Sequence, residues 1–193
     1  MTWLLRTATE ADLDRIMDME RTVFTTDAWS DEMMRSEILS PHGTYLVATD
    51  ADGDGSVLDG YAGLFAPSRS NDGDIQTIAV SEAARGRGLG RLLMVTLIDR
   101  ARRQGVTQVF LEVRADNPVA QGLYRSLGFE EIAVRPGYYQ PDDVDAIVMR
   151  LTVRPAEPAL AEPALAEPAL AEPGRAEPAA APQPTEIPEN PLS

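Results

Sequence analysis

This chain contains no cysteine, no lysine and a single histidine among its 193 residues. Without cysteine there can be no disulfide, no thiolate metal site and no cysteine nucleophile to carry a transferred group. One imidazole excludes most zinc constellations and any mechanism that needs two histidines. His42 itself lies in Ser40-Pro41-His42-Gly43, a turn sequence, and reads as a loop residue. No metal is expected. The missing lysine rules out the phosphate loop that ends in Gly-Lys-Ser/Thr; arginine as the only cation besides His42 is most simply a mark of genomic base composition. No apolar run approaches the length of a membrane span. The opening Met1-Thr-Trp-Leu-Leu-Arg is too short and too quickly charged for a signal peptide, so a cytoplasmic protein without a membrane partner is expected.

What is abundant is acid. The formal net charge is −14. Beyond Pro155 seven glutamates stand against one arginine, a net of −6, which leaves −8 on residues 1–154. A surface of that sign is a poor non-specific partner for nucleic acid, whose binding depends on phosphate neutralisation, and direct nucleic-acid binding is not expected. It suits a basic peptide or an amine, although solubility alone gives the same composition in many proteins.

The far end is different in kind. Ala-Glu-Pro-Ala-Leu fills 156–160, 161–165 and 166–170 and then degenerates. A proline every fifth residue removes helix hydrogen bonds, and a stretch without aromatics cannot bury enough area to fold. Residues 154–193 therefore read as a disordered Ala/Glu/Pro repeat tail, either a bare spacer or a docking tether. The remaining residues, 1–153, suffice for one domain with its own core.

Periodicity divides that domain. Trp3 to Thr7 reads as a strand and Ala8 to Arg21 as a helix with Leu13, Ile16, Met17 and Glu20 at helical spacing. Ser30 is a plausible N-cap for a second helix. Strands follow at Thr44 to Thr49, Leu58 to Phe65 and Asp74 to Val80. A long helix runs from Leu89 to Arg103 and stops at Gly105. Thr107 to Arg114 is a strand, Pro118 to Leu127 a short helix capped by Asn117, and Phe129 to Val134 and Asp145 to Leu151 the last strands. The order β-α-α-β-β-β-α-β-α-β-β implies an α/β fold on a mixed sheet, with one right-handed βαβ crossover through the long helix.

The join between the strand ending Ile78-Ala79-Val80 and the long helix is Ser-Glu-Ala-Ala-Arg85-Gly86-Arg87-Gly88-Leu89-Gly90-Arg91. Alternate glycines remove β-carbons and let backbone N–H groups turn inward on an anion. The helix start adds unpaired N–H groups and a positive dipole end, and three arginines add full charges. The glycines fall as Gly-x-Gly-x-Gly, which does not fit the dinucleotide pattern. They do fit Arg-x-x-Gly-x-Gly, which resembles the pyrophosphate loop of the GNAT superfamily of N-acetyltransferases. The bland alternative is a glycine-rich helix start with no ligand.

A second block, Leu111-Glu112-Val113-Arg114-Ala-Asp-Asn117 with Leu123-Tyr124-Arg-Ser-Leu-Gly-Phe129, is similar to the RimI branch of that superfamily, the ribosomal-protein alanine N-acetyltransferases. Thr77 to Val80 and Arg135-Pro-Gly-Tyr138-Tyr139 fit the same branch, so the resemblance covers roughly residues 3–151. It implies the GNAT acyl-CoA N-acyltransferase fold, in which two parallel strands splay apart around a thioester. It also implies acetyl-CoA as co-substrate, held by Arg85 to Arg91 and by Asn117, with backbone N–H groups of Ile78, Ala79 and Val80 polarising the thioester carbonyl. Glu112 takes the family's general-base position and Tyr124 its general-acid position. Trp29, Tyr138 and Tyr139 are candidates for the acceptor groove, as aromatics in loops flanking the sheet.

The residues alone leave other readings open. Glu112 shares a strand face with Phe110 and could simply meet solvent. Tyr124, beside Leu123 and Leu127, could be a core tyrosine, and Trp29 could anchor two helices. The chemistry nonetheless asks for such groups: acetyl transfer needs a neutral amine and a proton for the departing thiolate. An α-amine, with pKa about 8 against about 10.4 for lysine, is easier to deprotonate at neutral pH by roughly 3 kcal/mol. The expected function is acetylation of an N-terminal α-amine, alanine foremost, on a small-subunit ribosomal protein. Direct attack is expected, since no cysteine is available to hold the acetyl group. The rivals are a small-molecule amine or lysine side chain as acceptor, and a non-catalytic acyl-CoA-binding module.

Overall fold

The computed structural model describes residues 2–154. The repeat tail expected at 154–193 lies, apart from Arg154, outside the described residues. The elements are β1 (Trp3–Thr7), α1 (Leu13–Val23), α2 (Asp31–Leu39), β2 (Gly43–Asp50), β3 (Gly60–Phe65), β4 (Asp72–Val80), α3 (Leu89–Arg103), β5 (Gln108–Arg114), α4 (Pro118–Ser126), β6 (Glu130–Tyr139) and β7 (Val144–Thr152), with short 3-10 turns at Glu10–Asp12 and Glu82–Ala84. The fold is α/β, and the order matches the periodicity of the sequence. Boundaries move where turns intrude: the first helix starts at Leu13 because Glu10–Asp12 forms its own turn. The sixth strand runs on to Tyr139.

One seven-stranded sheet has the order β1-β2-β3-β4-β5-β7-β6. Among the described residues only β4 and β5 run parallel; the other pairings are antiparallel. The parallel pair demands a crossover, and α3 supplies it. Leu89, Leu93, Met94, Leu97 and Ala101 form its buried stripe, against Ile75, Val109, Leu111 and Met149 of the sheet. At about 1.5–3 kcal/mol per fully buried large apolar side chain, that stripe outweighs any propensity term. Gly105, at φ +86°, closes α3 in a Schellman turn: Val106 N–H donates to Ala101 O (3.0 Å) and Gly105 N–H to Arg102 O (3.1 Å). The opposite sheet face carries a second core, in which Ile16, Met17 and Met34 of α1 and α2 meet Tyr45, Val47, Tyr61 and Ala79.

Two irregularities part the sheet at its centre. The register of β3 on β4 slips between Gly63 and Leu64, since Gly63 faces Thr77 but Leu64 faces Ile75, so Gln76 is an extra residue. The bulge resets the side-chain alternation, and Ile75 and Ile78, three apart, both meet the α3 face. The parallel pairing of β4 with β5 ends at Ile75–Leu111. Beyond it, Thr77–Val80 pair only with β3, and Glu112–Arg114 only with β7. The sheet is open between them.

Candidate active site

The opening is lined by backbone on one side and side chains on the other. Ser81 N–H donates to Asp59 O at 2.8 Å on the β3 side. Strand alternation then turns the amides of Thr77 and Ala79 toward β3, and those of Ile78 and Val80 toward the opening. The Val80 carbonyl accepts from Arg85 Nε at 3.3 Å, which draws that arginine back over the strand end. The side chains of Ile78 and Val80 pack on the α3 face, whereas Ala79 is buried on the other.

The connection to α3 has the backbone of an anion cradle. Gly86 and Gly88 adopt φ +70° and +89°, a region costly for side-chain-bearing residues. Gly88 is the N-cap of α3, no side chain caps that end, and no acidic residue lies in its first turn. In contrast, α2 is capped by Ser30 and carries Asp31 and Glu32 in its first turn. Gly90 needs no unusual dihedral; a β-carbon there would sit 3.5 Å from Leu123 of α4, in ordinary contact. Leu89 is buried, and Arg85 and Arg87 are exposed beside the cradle. Arg91 turns away toward α4, donating to Ser126 Oγ at 2.6 Å.

Glu112 and Tyr124 lie on opposite faces of the sheet. Val109, Leu111 and Val113 of β5 belong to the α3-side core together with Tyr124, so Glu112 projects to the other side. There it is ion-paired with Arg135. An exposed pair of this kind is worth about 0–1 kcal/mol, so it orients the carboxylate more than it stabilises the fold. Tyr124 is held by the end of its own helix: Gly128 at φ +94° closes α4, with Phe129 N–H donating to Tyr124 O at 3.1 Å and the Phe129 ring 6.0 Å from the Tyr124 ring. Burial pushes the Tyr124 phenol up to about 12, so it carries its proton at neutral pH.

Tyr139 lies within electrostatic range of both Glu112 and Tyr124. Its hydroxyl is driven up first by burial and then by the charges of Glu112 and Asp27, with Tyr138 and Tyr124 also near enough to act on it. Tyr138 and Tyr139 meet edge to face at 5.2 Å, and the guanidinium groups of Arg135 and Arg114 lie 4.2 and 5.2 Å from their respective ring centres. The expectation that these tyrosines sit in a loop is corrected: both are in β6, whose register slips between Arg135 and Tyr139 and so carries the strand past Pro136. Trp29 lies between α1 and α2, partly buried against the second core, and its backbone N–H donates to Glu20 Oε1 at 3.0 Å.

Asn117 Oδ1 accepts from Ala120 N–H at 3.1 Å and is committed to capping α4. Its Nδ2 is left to serve a ligand. Gln121 and Arg114, neither singled out by the sequence, fix the surroundings. Gln121 Nε2 donates to Arg114 O and Ala115 O, both at 3.0 Å, pinning α4 to the end of β5. Arg114 ties Asp116 (3.1 Å) to Asp142 (3.0 Å), and Asp142 accepts from Thr26 Oγ1 at 3.1 Å. The β6–β7 turn, the α1–α2 loop and β5 thus enclose the face onto which Glu112 opens.

A mixed sheet parted after one parallel pairing, with a glycine-rich helix start at the break, defines an acyl-transfer fold. Residues 13–129 match the model of the acetyltransferase (GNAT) family, and the chain belongs to it. It is 40% identical over 145 residues to the N-alpha-acetyltransferase RimI of Mycobacterium tuberculosis, a match that covers 74% of this chain and 87% of that protein. It is 39% identical over 150 residues to an uncharacterized protein of Mycobacterium leprae, covering 76% of this chain but only 40% of that relative's length. The crystal structure of the ribosomal-protein-S18-alanine N-acetyltransferase from Escherichia coli superposes with a TM-score of 0.71 at 28% identity, covering 82% of this chain and 99% of the other.

Proposed function

We propose that this acetyltransferase moves the acetyl group of acetyl-CoA to the N-terminal α-amine of a protein, alanine foremost, on a small-subunit ribosomal protein. One observation carries the reading. The sheet opens past Ile75 and Leu111, with Glu112 on one face, Tyr124 on the other and Tyr139 within range of both. An acceptor entering beside Glu112 can therefore meet a thioester lying on the α3 side. The likeness to a protein named for N-alpha-acetylation supports the α-amine, and the likeness to the Escherichia coli protein named for S18 alanine acetylation supports alanine.

The α3 cradle suits a diphosphate: it offers first-turn N–H groups, an uncapped positive dipole end and the exposed Arg85 and Arg87. Asn117 Nδ2 would donate to a carbonyl of the pantetheine arm. The amides of Ile78 and Val80 would donate to the thioester oxygen as it gains charge. Glu112 takes the proton of the attacking amine, directly or through water, the nitrogen–carbon bond forms, the carbon–sulfur bond breaks, and Tyr124 returns a proton to the sulfur. Arg135 and Tyr138 orient Glu112, and Tyr139 walls the acceptor side.

The test is mass spectrometry of an alanine-initiated peptide incubated with acetyl-CoA and the full chain. Acetyl on the α-amine is expected. Label confined to lysine side chains or small amines, or coenzyme binding without transfer, would reject the assignment.

A further inference from the structure

Glu20 is the most buried carboxylate among the described residues, at 1% exposure, and the proposed chemistry does not use it. It stands three residues from the end of α1, and both ends of the following loop close on it. Its backbone carbonyl accepts from Phe24 N–H at 2.8 Å, and its Oε1 accepts from Trp29 N–H at 3.0 Å. Its other oxygen, Oε2, accepts from the Tyr61 hydroxyl of β3, which lies 3.3 Å from Thr77 Oγ1 on β4. Thr77 follows the bulged Gln76, where β4 has left β5. The loop so fastened is the one that touches the β6–β7 turn through Thr26 and Asp142, and whose Asp27 acts on Tyr139.

We propose that Glu20 is a positioning residue for the acceptor, holding the loop 24–29 at a fixed distance from β4 so that the amine meets the opening in the sheet. The inference rests on the acetyl-transfer reading above. Glu20 is too deeply covered to touch substrate itself; it acts through the Trp29 backbone at one end and through Tyr61 and Thr77 at the other. A buried acceptor oxygen left without its donor is costly, so the three contacts hold together or fail together. Glutamine can replace the carboxylate: its Oε1 still accepts from Trp29, and its Nε2 donates to the Tyr61 oxygen, whose hydrogen then turns to Thr77.

The experiment compares Glu20→Ala, Glu20→Gln and Tyr61→Phe in the full chain, with acetyl-CoA and an alanine-initiated peptide. Glu20→Ala and Tyr61→Phe should each raise the acceptor KM at least about tenfold, with acetyl-CoA affinity by calorimetry within about twofold of the parent. Glu20→Gln should restore the acceptor KM to within about threefold. Folded Glu20→Ala or Tyr61→Phe protein with an unchanged acceptor KM, or a loss that falls equally on coenzyme affinity, overturns the proposal. Should Glu20→Ala not fold, Tyr61→Phe, which deletes one oxygen, decides the matter alone.

A second readout needs no turnover. In a Trp3→Phe background Trp29 is the only tryptophan, and its emission should shift to the red in Tyr61→Phe and recover in Glu20→Gln. An unchanged emission overturns the tie. If the parent enzyme acetylates no α-amine while the emission shift is seen, the acceptor assignment fails and the tie stands.

Discussion

Tyr45, on β2, lays its ring across Gly63 of β3 and donates a hydrogen bond to Gln76 Oε1 at 3.0 Å on β4. A β-carbon on Gly63 would lie 2.4 Å from Tyr45 Cζ, so the glycine is a window through which one strand grips the next but one. The residue gripped is the bulge itself. The sheet's opening therefore depends on a tyrosine two strands away.

Gly63→Ala should displace Tyr45, which is 2% exposed. Overpacking costs about 1–3 kcal/mol, and the lost Gln76 bond about 1 more. Urea unfolding should register a loss of about 2–4 kcal/mol. Tyr45→Phe, which keeps the ring, should lose only about 1 kcal/mol. Equal losses in the two variants would contradict the window.

Glu112→Gln and Tyr124→Phe should each lower kcat by about 10²–10⁴-fold, the ordinary contribution of a positioned acid or base. Acetyl-CoA affinity should hardly change in either, because neither side chain belongs to the cradle. Steady-state kinetics alongside calorimetry separates the two effects.

Gly88→Ala tests the cradle. At φ +89° a side chain costs about 1–2 kcal/mol even though no atom obstructs it. Acetyl-CoA should bind about tenfold more weakly, a factor equivalent to about 1.4 kcal/mol, with little change in kcat at saturating coenzyme.

Stability should depend on pH through Glu20. Burial lifts its carboxyl from 4.5 to about 7, against the hydrogen bond from Trp29, and Asp27 pushes the same way as burial. Because the folded state holds the proton more tightly than the unfolded chain, this contribution is complete below pH 4.5 and is lost as pH rises to about 7. At about 1.4 kcal/mol per unit it amounts to about 3 kcal/mol. Comparing urea midpoints of the parent and Glu20→Gln at pH 5 and 7.5 reads it directly: the parent should lose stability relative to the variant. Parallel profiles would show that Glu20 is ionised throughout.

The element order was legible because each boundary carries its own chemistry: Asn117 caps α4, while Gly105 and Gly128 stop α3 and α4 with left-handed backbone. The face of Glu112 came from plain alternation with Leu111 and Val113. The bulge did not, although Ile75 and Ile78, spaced by three within a strand, were its trace. Strand order is set by contacts distant in sequence, so nothing local announced that β7 would lie between β5 and β6. Glu20 looked like one more position on an amphipathic helix, because burial and its bonds to Tyr61 and Trp29 arise only when three elements meet. Part of the Leu-Tyr-x-x-Leu-Gly-Phe pattern proved architectural: Gly128 ends the helix and Phe129 folds back on Tyr124.

The last strand, β7, carries a consequence for anyone shortening this chain. Among the described residues it is the sole strand neighbour of Glu112–Arg114, and just past it Val153 N–H donates to Thr107 O at 2.8 Å. A version cut after Arg154 keeps every backbone rung that supports the carboxylate. One cut at the β6–β7 turn would leave Glu112 on a bare sheet edge, open to the nearest unpaired strand of another molecule.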